Sequence, residues 1–102
     1  MAENHVLTFI DKFKFRHGKE LEDIFMSGNC YYFALILKER FYGTIYYLPI
    51  ANHFVCKIDK DYYDITGKAA MQETPYRWDE YCITNKKHAA RVTRDCIKLL
   101  SR

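Results

Sequence analysis

The chain is 102 residues long, one domain's worth, and 49% of it is apolar, enough for a core that leaves so short a domain moderately stable. No stretch approaches the roughly 18 to 20 apolar residues of a membrane span. The start, MAENHVLTFIDK, lacks the basic head and apolar run of a signal peptide, so a cytoplasmic protein with free thiols is expected. Net charge is +3 but uneven: residues 1–84 carry ten Lys/Arg against twelve Asp/Glu, residues 85–102 six against one. That tail is the sequence's hint of an acidic partner.

The elements fall in a readable order within a single domain, 1–102. Val6, Phe9, Ile10 and Phe13 have helical spacing. Lys12-Phe13-Lys14-Phe15-Arg16 alternates, so a short strand competes there, and His17-Gly18 breaks either one. Lys19 to Met26 reads as a short helix ended by Ser27-Gly28-Asn29. From Cys30 to about Tyr42 Phe33, Leu37 and Phe41 recur every four residues beside Ala34, and Gly43 ends the helix. Thr44 to Leu48 is rich in strand formers. Asn52 to Ile58 and Tyr62 to Thr66 are two further strands around the turn Asp59-Lys60-Asp61, and Gly67 closes that unit. Residues 69–85 give a loop and a short helical turn around Trp78. Residues 86–101 form a last helix with Val92, Cys96, Leu99 and Leu100 as its apolar stripe. Helices, then a meandering antiparallel sheet, then a helix make an α+β fold.

Three residues carry chemistry. Cys30 opens a helix, His53 comes early in one strand, and Asp64 lies in the next. Only a thiolate attacks, and a free thiol with a pKa near ~8.5 is mostly protonated at neutral pH. The positive end of a helix and a nearby imidazolium favour the thiolate, and first-turn N–H groups can hold an oxyanion. A two-residue turn made of Asp59 and Lys60 sets Val55 opposite Asp64 and makes His53 and Asp64 diagonal neighbours on one face, roughly 7 Å apart. A turn of Lys60 and Asp61 keeps the same face; a three-residue loop reverses the parity.

GNCYYFALIL followed by NHFVCKIDKDYYDITG resembles the Cys–His–Asp order of papain-like and transglutaminase-like cysteine enzymes. The likeness covers residues 27–67. It implies a nucleophile at a helix N-terminus packed on a small antiparallel sheet, a histidine beginning one strand, and an acid in the next. It implies an acyl-transfer enzyme acting on an amide- or ester-bearing substrate, hydrolase, deamidase or transferase, without a cofactor. Two features depart from the pattern: the His-to-Asp spacing is tighter than in most transglutaminase-like domains, and no Gln precedes the cysteine. An oxyanion hole would then need the Cys30 N–H and a second donor, for which Asn29 is the candidate, with Tyr31 beside it. The small size would suit a phage- or prophage-type member.

Each residue also has a plainer reading. Cys56 alternates with Phe54 and Ile58, and Cys96 falls on a helix stripe, so both read as core; Cys82 is open. Asn52 orients His53 or serves the turn. Trp78 walls a substrate groove, shields a His–Asp bond, or simply packs. Lys87, Arg91, Arg94, Lys98 and Arg102 form one basic stripe, either a solvated face or a docking surface for an acidic protein or nucleic acid. No nucleic-acid-binding motif, phosphate-binding glycine loop, CxxC pair or zinc-finger spacing is present. The competing function is therefore a binding or inhibitor protein using its tyrosines and that helix, with neither metal nor cofactor.

Overall fold

The computed structural model describes residues 2–17 and 30–94. Four helices and a five-stranded antiparallel sheet make up this part: α1 (Ala2–His17), α2 (Cys30–Phe41), β1 (Thr44–Leu48), β2 (His53–Ile58), β3 (Asp61–Asp64), β4 (Gly67–Lys68), β5 (Tyr76–Arg77), α3 (Trp78–Thr84) and α4 (Lys86–Val92). The fold is α+β, as the order of elements implies. The helix expected over Lys19–Met26, the break at 27–29, and Cys96, Leu99 and Leu100 lie outside the described residues. No described helix is long and apolar enough to cross a membrane.

The helices form where apolar residues recur at helical spacing, and they pack through those residues. Val6 and Ile10 of α1 and Phe33, Ala34 and Leu37 of α2 are buried. The two helices run antiparallel, Phe9 against Phe41 at 5.7 Å and Phe13 against Phe33 at 5.3 Å between ring centroids. The strand reading of Lys12–Arg16 is overturned: α1 continues through it. Phe13 packs inward while Phe15 is 92% exposed, so the alternation marks no buried face.

The sheet order is β4-β3-β2-β1-β5. One face carries Ile45, Tyr47, Phe54, Cys56, Ile58 and Tyr63, and these form a single core with the buried residues of all four helices. The pairs Ile45↔Cys56, Cys56↔Tyr63 and Tyr47↔Phe54 set that face. The opposite rows hold Tyr46, Leu48, His53, Val55, Lys57 and Tyr62, because side chains alternate. Tyr47 sits at the centre of an aromatic cluster, fully buried, with Phe54, Trp78 and Tyr81 at 4.9, 5.3 and 5.1 Å.

Two glycines do more than punctuate. Gly67, just beyond the β2–β3 hairpin, opens β4 at φ 110° and pairs with Asp64. Gly43 follows α2, yet the left-handed position that ends the helix falls on Tyr42 at φ 58°. Glycine is needed at 43 for room: an added Cβ would clash with Cys56 Sγ and lie 2.8 Å from the Lys57 carbonyl oxygen. Residues 69–85, read as loop and helical turn, contain β5 and all of α3. A two-residue strand has no periodicity to betray it.

Candidate active site

The turn between β2 and β3 has two loop residues. Ile58 pairs with Asp61 and Cys56 with Tyr63, which leaves Asp59 and Lys60 in the loop and sets Val55 opposite Asp64. Asp59 takes φ 58°, a left-handed conformation that aspartate tolerates better than most residues. His53 opens β2 and Asp64 closes β3, so both lie at one end of the sheet, diagonal to each other on one face.

At that end His53 Nε2–H donates to Asp64 Oδ2 at 2.9 Å, and both residues are nearly buried, 8% and 7% exposed. The second carboxylate oxygen, Oδ1, accepts the Thr66 backbone N–H at 2.9 Å and the Thr66 hydroxyl. Burial raises the Asp64 pKa, but the bonds from His53 and Thr66 outweigh it and hold the carboxyl below its usual range. The acid is therefore ionised at neutral pH, and Nε2 is the proton-bearing nitrogen facing it.

The ring's other partner is Cys30. Burial pushes the imidazole down, but hydrogen bonds to Asp64 and to Cys30, with their charges, push it up to about 9. Nε2 is committed to Asp64, and Cys30 lies close enough to the ring to influence it. Cys30 is the first residue of α2 and is 6% exposed. The helix packs on the Phe54 side of the sheet, where Tyr31 meets Phe54 edge-on at 5.1 Å. His53 and Asp64 are terminal in their strands, and Cys30, first in α2, lies near the His53 ring.

The remaining thiols differ from Cys30 in setting. Cys56 is core, as its alternation implies, and burial pushes it up to about 12. Cys82 is half-buried and raised by burial, then by Asp79. Among the described residues no three His, Cys, Asp or Glu side chains converge as metal ligands would.

Of the other residues singled out from sequence, Tyr31 and Trp78 both pack on Phe54, the residue after His53. Burial raises the Tyr31 hydroxyl, followed by the charges of Tyr32 and Cys82. Trp78 also stacks on Tyr81, 19° between ring planes, and belongs to the aromatic cluster on the helix side. Asn52 precedes His53 in the turn at φ 52°, and its Oδ1 accepts the Tyr47 hydroxyl at 2.6 Å. Lys87, Arg91 and Arg94 are exposed. Asn29, Lys98 and Arg102 lie outside the described residues. The open grooves lined by Asn4, His5, Phe9 and Arg40, and by Tyr76, Glu80 and Ile83, do not include the Cys30–His53–Asp64 group.

Two residues were missed from sequence. Thr66 has a local signal: an Asp followed two residues later by Thr is a pattern for a side chain bonding the backbone ahead of it. Glu73 has none. Its two carboxylate oxygens accept the N–H groups of Ile50 and Ala51, each at 2.9 Å, from more than twenty residues away.

A family model described as Phage YunG-like protein matches residues 6–93, and the chain belongs to that family. No curated protein and no solved structure matches it.

Proposed function

We propose that this Phage YunG-like protein is a small cysteine-dependent acyl-transfer enzyme of papain-like or transglutaminase-like type, with Cys30, His53 and Asp64 as its triad. One observation carries the reading: a buried imidazole bonded through Nε2 to a carboxylate, with a thiol at the start of a helix near enough to act on the ring. His53 Nδ1 takes the proton from Cys30 Sγ, and Asp64 keeps the other ring proton on Nε2 and stabilises the charged ring. The sulfur attacks the carbonyl carbon of an amide or ester, and the negative charge on the carbonyl oxygen is met by N–H groups of the first turn of α2. As the C–N or C–O bond breaks, Nδ1–H protonates the leaving amine or alcohol. A thioester remains on Cys30. Water, deprotonated by His53, releases the acid, or an amine takes the acyl group.

Labelling with iodoacetamide at pH 6, read residue by residue by mass spectrometry, tests the reading. Cys30 should react faster than every other thiol. Equal or slower reaction overturns it.

A second reading, a binding or inhibitor protein, draws on the exposed Lys87, Arg91 and Arg94. A Cys30→Ala variant separates the two: an enzyme loses function while staying folded, whereas a binder keeps both. Binding to nucleic acid would weaken steeply with salt.

A further inference from the structure

β4 and β5 lie on opposite sides of the sheet, and residues 69–75 join them. The lateral gap is four interstrand spacings, about 19 Å at ~4.8 Å each. From Lys68 to Tyr76 the chain can extend at most about 26–29 Å. The connection therefore uses most of its reach in crossing from one edge to the other, with a bend at Glu73. Its burial alternates: Ala69, Met71, Glu73 and Pro75 are half-buried, while Ala70, Gln72 and Thr74 are exposed. A period of two is that of a strand lying on a surface.

The helices occupy the Phe54 side of the sheet. On the other side Val55 and Leu48 are buried together with His53 and Asp64, although neither apolar residue belongs to the helix-side core. The strap's fixed point lies at the same end. Glu73 clamps the consecutive N–H groups of Ile50 and Ala51, in the turn that delivers His53 into β2. The same turn is gripped from inside by the Tyr47 hydroxyl on Asn52. A carboxylate accepting two N–H bonds is a strong tether for a turn that also carries a positive φ at Asn52.

We propose that Glu73 is a positioning residue: it locks the turn ahead of His53 and holds the 69–75 strap across the His53–Asp64 pair, so that the imidazole meets Asp64 and Cys30 together. The catalytic meaning of this rests on the function proposed above, but the positioning itself does not. The carboxylate bonded to the ring is that of Asp64, while Glu73 bonds the backbone of the turn that leads into His53.

The experiment follows the His53 ring by NMR titration in the full chain, wild type against Glu73→Ala and Glu73→Gln, with iodoacetamide labelling of Cys30 at pH 7.5 alongside. Glu73→Ala removes both acceptors. Its His53 midpoint should fall by on the order of one pH unit, and Cys30 labelling should slow several-fold. Glu73→Gln keeps one acceptor oxygen and should fall between the two; it serves alone if the alanine variant does not fold. A midpoint unchanged in the folded variants, even with a lower melting temperature, shows a purely structural tether and overturns the proposal. If wild-type Cys30 shows no preferential labelling, the enzyme reading fails, while the His53 midpoints still decide whether Glu73 positions the ring.

Discussion

Replacing Asp64 with Asn tests the triad with almost no change of shape. The Asn oxygen can keep the Thr66 N–H and hydroxyl bonds made by Asp64 Oδ1. Its amide nitrogen then faces His53 Nε2, and two donors cannot share one bond. The ring responds by accepting at Nε2 and carrying its proton on Nδ1, the nitrogen that the proposed mechanism uses as the base. The size of the effect follows from the imidazole's basicity. With Asp64 in place it is pushed up to about 9; an ordinary histidine stands near ~6.5. At pH 7.5 the charged fraction is about 97% with the full shift and about 9% with none of it, so losing the Asp64 share while the Cys30 share remains lowers the fraction by up to roughly tenfold. Labelling of Cys30 by iodoacetamide at pH 7.5 should therefore slow several-fold, up to about tenfold, measured by peptide mass spectrometry with Cys56 and Cys82 as internal references. A folded Asp64→Asn protein that labels Cys30 at the wild-type rate would refute the reasoning.

Two further outcomes concern stability. Gly43→Ala forces a Cβ against Cys56 Sγ and 2.8 Å from the Lys57 carbonyl, at the tightest point between the α2–β1 corner and the sheet. Overpacking of that kind costs about 1–3 kcal/mol and should appear as a melting temperature lower by about 5–15 °C. The His53–Asp64 pair makes stability depend on pH, with a definite sign. A raised His53 pKa gives a contribution complete below about pH 6.5 and lost as pH rises through about 9. The lowered Asp64 pKa gives one present above about pH 4 and lost as pH falls further. Urea titrations at pH 6 and pH 9.5 should differ by about 2–3 kcal/mol in favour of pH 6, and equal stabilities would count against the pair as described.

Much of this arrangement follows from two periodicities. A side-chain period of two, combined with a tight turn at Asp59-Lys60, is sufficient to place His53 and Asp64 on one face eleven residues apart. A period near four from Phe33 to Phe41 identifies α2 and makes Cys30 its start. What escaped has physical reasons. The Lys12–Arg16 alternation imitated a strand because Phe15 is an apolar residue in water, which pattern alone cannot distinguish from a buried one. Gly43 looked like a helix terminator when its requirement is tertiary, set by Cys56 and Lys57. The strap and Glu73 were invisible because their order comes from distant partners: a carboxylate that holds two N–H groups across the molecule leaves no mark on its neighbours in sequence.

The brevity of β4 and β5 bears on how the chain behaves in a crowded solution. The open margin of a sheet is a row of unpaired N–H and C=O groups, a template on which other chains can polymerise. Here each margin is formed by a strand of two residues, Gly67–Lys68 and Tyr76–Arg77, and each includes a cation. The two segments richest in amyloid-forming character, TIYYL and HFVCKI, are placed inside, β2 with a strand on either side and β1 guarded along Tyr46 and Tyr47. Growth of a fibril from this sheet would have to begin at margins that are short and charged, which disfavours it.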